Sequence, residues 1–178
     1  MSSELTKKKR GVHMLCPHRY CHGVAEVTIE DLREQGIDTV LLDLDNTLVP
    51  WQKHDMTDEV REWLTALKGA GMKLYLVSNT RHGRRIVALS EELGIPHVHG
   101  AWKPRKKGFL HAMKELGSEP SKTVVIGDQM FTDVLGGNRL GLFTVMVRPI
   151  ARREFLGTKI SRAAERVFLS YFRRGGHL

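Results

Sequence analysis

The chain repeats one pattern: a short, mostly apolar run, a polar residue at its end, then a stretch with apolar positions at helical spacing. The runs fall at 39–44, 74–77, 123–126 and 143–147, with a shorter one at 97–99. Strands that are apolar on both faces must be covered on both faces, which parallel sheets in α/β folds achieve. The intervening segments predict helices over 31–35, 58–68, 84–93, 106–116 and 131–140. In the second, Val60, Trp63, Leu64 and Leu67 share one face, and Gly69-Ala70-Gly71 follows as a stop. Thr28-Ile29-Glu30-Asp31 reads as a capping box ahead of the first. Gly136-Gly137 weaken the last, because glycine disfavours helix interiors. The fold class implied is α/β and Rossmann-like: a parallel sheet of about five strands with helices on both faces. At 178 residues the chain is long enough for one well-filled core.

In such sheets ligands bind beyond the carboxyl ends of the strands. The polar residues of this chain collect there. Asp43 and Asp45 follow the first run, Ser78 and Asn79 the second, Lys103 the third, and Asp128 and Asp133 the fourth. Two carboxylates two residues apart repel one another unless a cation sits beside them. One of them can then attack phosphorus while the other moves a proton. Taken alone, Asp45-Asn46-Thr47 would also suit a turn that caps a helix. Taken alone, Lys103 is an ordinary lysine with Lys106 and Lys107 as rivals, although the following Pro104 favours it. Phosphoryl transfer needs a nucleophile, a metal that offsets phosphate charge, and donors for the nonbridging oxygens. The strand ends supply each of these.

In their order, Asp43-x-Asp45-x-Thr47, Ser78, Lys103 and Gly127-Asp128-x4-Asp133 resemble the four motifs of the haloacid-dehalogenase (HAD) superfamily over roughly residues 37–150. Ser78-Asn79, Gly94-Ile95-Pro96, Lys103-Pro104 and the run from Gly127 to Arg139 narrow the resemblance to YqeG-type phosphatases of subfamily IIIA. The mitochondrial phosphatidylglycerophosphate phosphatases are similar to that subfamily. The resemblance implies that Asp43 is the nucleophile and forms an aspartyl-phosphate. It implies that Asp45 protonates the leaving oxygen and then activates water. Mg²⁺ would take the Asp43 carboxylate, the Asp45 backbone carbonyl and Asp128. Ser78, Asn79 and Lys103 would hold the phosphoryl group, and Asp133 would support the metal or Lys103 from behind. An Asp at position 45, where related transport ATPases have Thr, points to hydrolysis.

Specificity caps in this superfamily are inserted after the first motif or between the second and third. Here 32 residues separate Asp45 from Ser78 and 24 separate Ser78 from Lys103. Each interval is filled by one helix and one strand, so no cap domain is expected and the site should be open. The three parts expected are an N-terminal arm (1–27), the phosphatase core (28–150) and a basic amphipathic C-terminal helix (151–178). From Arg148 onward there are eight basic residues against Glu154 and Glu165, a local net charge of +6 within a chain total of +8. Phe155, Ile160, Ala163, Ala164, Val167, Phe168, Tyr171 and Phe172 recur there at helical spacing. Such a helix suits an anionic membrane surface, or it packs its stripe on the sheet and leaves the arginines in water.

The substrate expected is therefore a phosphomonoester, with phosphatidylglycerophosphate preferred. The alternatives are soluble sugar, nucleotide or nucleic-acid phosphates, or a non-catalytic module that binds RNA or a ribonucleoprotein. No apolar run is long enough to span a bilayer, and the basic start at 7–10 lacks an apolar sequel. The expected location is cytoplasmic, with peripheral attachment to the inner face of the membrane. Cys16-Pro17-His18-Arg19-Tyr20-Cys21-His22 holds four potential zinc ligands, but in a spacing too tight for a usual zinc site. The expectation there is free thiols.

Overall fold

The computed structural model describes residues 11–51, 53–80, 83–151 and 156–176, with side chains of the last segment from residue 163 onward. Its centre is a six-stranded sheet of β1 (Arg19–Cys21), β2 (Thr39–Leu42), β3 (Lys73–Val77), β4 (His97–Val98), β5 (Thr123–Gly127) and β6 (Phe143–Val147). The strands lie in the order β1-β6-β5-β2-β3-β4, and every pairing is parallel. The helices are α1 (Ile29–Glu34), α2 (Asp58–Gly69), α3 (Gly83–Leu93), α4 (Lys106–Leu116), α5 (Leu135–Asn138) and α6 (Leu156–Arg174). Two buried clusters flank the sheet. One joins Leu42, Leu76, Ile126 and Val145 to α2 and α3; the other joins Leu41, Tyr75 and Val125 to α4. Alternate residues of the same strands feed opposite clusters, as the pleat requires.

The local signals act as their chemistry predicts. Thr28 Oγ1 accepts from Asp31 N, and Asp31 returns the bond to Thr28 N, completing the capping box of α1. Trp63 buries its ring and donates Nε1–H to Val27 O at 2.8 Å. Between β5 and β6 the expected helix over 131–140 is a π-helical turn (Met130–Val134) that runs into the short α5. Here the two glycines are required rather than tolerated. A Cβ on Gly136 would lie 2.5 Å from the Phe109 ring, and one on Gly137 would lie 2.4 Å from Val125. They let α5 sit directly on α4 and the sheet.

The sheet has six strands, not about five, and the sixth comes from the residues expected to form an arm. Arg19, Tyr20 and Cys21 pair with Val145, Met146 and Val147. Residues 11–15 form a 3₁₀ turn, and Asn138 Nδ2 donates to Met14 O (2.8 Å) and Cys16 O (2.9 Å). A three-residue strand is too short to show periodicity, so its pairing could not be read from the sequence. The expectations for residues 1–10 lie outside the described residues.

Helix α6 divides its stripe. Phe172 is fully buried against Cys16, Met130, Val134 and Met146, with Phe168 and Leu169 packed beside it. Glu165 is buried and accepts from Met130 N at 3.0 Å, and the Arg173 guanidinium lies 5.2 Å above the Tyr20 ring. Val167 (68% exposed) and Tyr171 (54%) face outward. The helix therefore packs on the core and still presents an apolar pair among Arg166 and Arg174. Among the described residues, no helix is long and apolar enough to cross a membrane.

Candidate active site

The site forms where the chain leaves β2, β3 and β5. Asp43 is the first residue after β2, and its N–H is tied to Ile126 O at 2.9 Å. The chain then makes a tight loop. Asn46 takes a positive φ of 62°, its N–H donates to Val49 O at 2.7 Å, and its Oδ1 accepts from Trp51 N at 3.0 Å. Asparagine is one of the few residues that enter this region readily. Leu44 is fully buried within that loop and anchors it. Since β2 ends at Leu42, strand alternation no longer governs Asp43 and Asp45, and the two carboxylates meet different partners.

Asp43, Asp128, Asp133 and Lys103 make the centre, each at most 6% exposed. Lys103 Nζ donates to Asp43 Oδ1 at 2.5 Å and to Asp133 Oδ1 at 2.7 Å. Burial alone would lower the lysine's pKa, but Asp133 and Asp43 outweigh it and hold the ammonium above the ordinary lysine range. Burial pushes the Asp133 carboxyl upward, and the Asp43 charge adds to this while Lys103 opposes it. Asp133 also accepts from Gln129 N at 3.2 Å. Its approach depends on Gly127, where a Cβ would lie 2.3 Å from the Asp133 carboxyl carbon. The Thr47 hydroxyl lies 3.3 Å from Asp43 Oδ2 and 3.4 Å from Asp128 Oδ1, bridging the two.

Asp43, Asp128 and Asp133 each offer an oxygen, and the three atoms lie within 4.8 Å of one another. All three carboxylates are buried, and Lys103 contacts two of them, Asp43 and Asp133. A hard cation with an all-oxygen preference fits this donor set. Of the metal ligands expected from sequence, Asp43 and Asp128 are brought together, and Asp133 joins them more closely than expected. Among the described residues no other group of three or more such side chains converges. The ligands of the Cys16–His22 segment disperse. Cys16 and Cys21 are buried, form no disulfide and lie in separate clusters, the His18 ring bonds to Thr144, and His22 pairs with Glu26.

The remaining predicted residues are placed as follows. Ser78 is buried at the end of β3, and its Oγ accepts from Thr80 N at 3.1 Å. Asn79, expected to hold phosphate, bonds to the lysine's backbone. Its Oδ1 accepts from Lys103 N at 2.7 Å and its Nδ2 donates to Lys103 O at 3.1 Å. That reciprocal pair sets the loop from which Lys103 reaches inward. Asp45 stands at the rim in an ion pair with Arg85, whose other nitrogen donates to Lys53 O at 2.8 Å. Arg85 was not among the site residues expected from the sequence. A signal was present: a helix N-terminus favours acidic residues, yet Arg84 and Arg85 sit in the first turn of α3 with none. Cations placed against the helix dipole need another reason to be there.

Residues 25–141 match the family model described as haloacid dehalogenase-like hydrolase. The chain belongs to this family. The hydrolase is 40% identical over 162 residues to a Bacillus subtilis protein named probable phosphatase YqeG, covering 91% of this chain and 94% of the relative. It is 25% identical over 169 residues to phosphatidylglycerophosphate phosphatase 1 of Arabidopsis thaliana, covering 89% of this chain but 49% of that one. The solved deoxy-D-mannose-octulosonate 8-phosphate phosphatase of Haemophilus influenzae superposes with a TM-score of 0.53 at 17% identity, over 76% of this chain and 89% of that one, and so shares the fold. The resemblance read from the four motifs is thereby borne out. The chain is a HAD-type phosphatase.

Proposed function

We propose that this phosphatase is a Mg²⁺-dependent phosphomonoesterase that works through an aspartyl-phosphate on Asp43. The observation that carries the reading is the buried contact of Lys103 Nζ with Asp43 Oδ1. It fixes the carboxylate in place and leaves an ammonium beside the place where a phosphoryl group must arrive. Asp43 attacks phosphorus, and the bond to the ester oxygen breaks as Asp45 delivers a proton to that oxygen. Asp45 then takes a proton from water, which attacks the same phosphorus and returns Asp43 with release of phosphate. Arg85 holds the Asp45 carboxylate at the rim during both steps. Lys103 and Ser78 face the nonbridging oxygens, and Asn79 aims Lys103. Asp43, Asp128 and the Asp45 carbonyl would hold Mg²⁺, with Asp133 beside them; the ion would offset charge on the phosphoryl oxygens.

The preferred substrate is phosphatidylglycerophosphate, handled at the cytoplasm-facing surface of the membrane. Three observations support it: relatives named for that activity, the lack of a cap in the two intervals, and the basic, partly apolar outer face of α6. The test is phosphate release from phosphatidylglycerophosphate with and without Mg²⁺, comparing wild type with Asp43→Asn. The wild type should need Mg²⁺, and the variant should lose activity by at least about a thousandfold, because a nucleophile cannot be bypassed. Equal release by both proteins would refute the mechanism. Cleavage of p-nitrophenyl phosphate but not of the lipid would refute only the substrate.

A further inference from the structure

A groove of about 640 Å³ opens beside the catalytic loop. Thr47, the residue whose hydroxyl bridges Asp43 and Asp128, is part of its lining. Its walls come from three neighbouring segments at the same end of the sheet: the turn after β1, the start of α2, and the chain leaving β6. That volume belongs to the range of small-molecule sites and is far more than a phosphoryl group fills.

The lining is of two kinds. Arg148, exposed at the mouth, has its backbone fixed by a bond from its N–H to Cys21 O at 3.0 Å. A guanidinium offers five donors in a planar fork that matches a phosphate oxygen pair. Glu26 is already engaged by His22, through the ring at 3.4 Å and the backbone N–H at 2.9 Å. Glu59 remains as an acceptor suited to hydroxyl groups. Val24, Pro149 and the exposed Ile150 add an apolar border.

We propose that this groove is the leaving-group subsite, and that it takes a hydroxylated alcohol bearing a second, ionised phosphate, which Arg148 binds. The monoester phosphate sits at the acidic centre, the alcohol runs past Thr47, and the second phosphate meets Arg148. Apolar parts of the alcohol lie toward Ile150. The assignment rests on the phosphatidylglycerophosphate reading for the lipid itself, since that substrate's alcohol is a glycerol bearing a phosphodiester. It makes β1 part of the site, because the turn after β1 forms one wall. An enzyme built this way selects by the leaving group and not by the phosphoryl group common to all monoesters.

The experiment compares wild type, Arg148→Ala and, as a control for loss of one positive charge elsewhere, Lys114→Ala on the exposed side of α4. Two quantities are measured with Mg²⁺ present. One is kcat/KM for phosphatidylglycerophosphate in detergent micelles divided by that for p-nitrophenyl phosphate. The other is inhibition of p-nitrophenyl phosphate hydrolysis by glycerophosphoglycerol, which has the phosphodiester but no monoester. Arg148→Ala should lower the ratio by about ten- to a hundredfold, mainly through KM, and raise the inhibition constant by a similar factor. Lys114→Ala should change neither. If the lipid is cleaved but both quantities are unchanged in Arg148→Ala, the subsite is wrong and the lipid reading stands. If the lipid is not cleaved, yet glycerophosphoglycerol inhibits in an Arg148-dependent way, the subsite stands and the lipid reading falls. A wild type that glycerophosphoglycerol does not inhibit overturns the subsite.

Discussion

Asp43 and Asp45 are two residues apart and have opposite surroundings. Asp43 is buried and contacts a lysine that is buried with it; the Asp45 side chain is 21% exposed and contacts Arg85, itself 13% exposed. Both are carboxylate–cation pairs, and burial makes them different. In the interior, a charge that loses its partner has no water to turn to, so the pair binds chemistry and stability together. At the half-buried rim, water reaches the pair in part and replaces a lost partner at lower cost. The division suits the two roles proposed for them: an attacking group must not wander, while a proton carrier must reach both the leaving oxygen and solvent.

Helix α6 repeats the contrast without charge. Phe172 and Tyr171 are adjacent aromatics; one is fully buried and the other is more than half exposed. The same helix therefore closes the core with one face and presents the other to whatever approaches.

The sharpest way to break the contrast is Lys103→Met, which leaves Asp43 and Asp133 buried without their cation. Urea unfolding should show a loss of about 3–5 kcal/mol, together with loss of phosphatase activity. A loss below about 1 kcal/mol would mean that water reaches the centre and the distinction between interior and rim is false. Phe172→Ala should cost about 3–4 kcal/mol in the same measurement, whereas Tyr171→Ala should stay within about 0.5 kcal/mol. Equal effects from the two would show that α6 is not seated as described. The smallest stability change belongs to Arg85→Ala, at under about 1 kcal/mol. Its kcat should nevertheless fall by about tenfold or more, since Asp45 loses the contact that orients it. If stability falls and kcat does not, Arg85 is a structural tie through Lys53 and no part of the catalytic arrangement.

Much of this could be read before any coordinates. The apolar runs of β2, β3, β5 and β6 are visible because a strand covered on both faces must be apolar along its whole length. The residues at their ends are visible because a parallel sheet gathers them. Asp43, Asp128 and Lys103 meet for that reason, although Lys103 lies 60 positions after Asp43. Other features were hidden for equally physical reasons. The three-residue β1 has no period to detect. The tie of Asn79 to the Lys103 peptide group, 24 residues onward, was hidden because backbone atoms leave no mark in a sequence. Arg85 is one of two adjacent arginines, and only the turn of α3 decides which of them meets Asp45.

The sequence by itself determined the layered α/β fold, the order of the strand-end residues and hence the type of chemistry, because each depends on residues within one short segment. Tertiary structure alone decided which carboxylate is sealed in and which stays at the rim, and what lies beside them. Those properties belong to contacts between distant segments. Burial, which sets the strength of every charge in this site, exists only once the segments have packed.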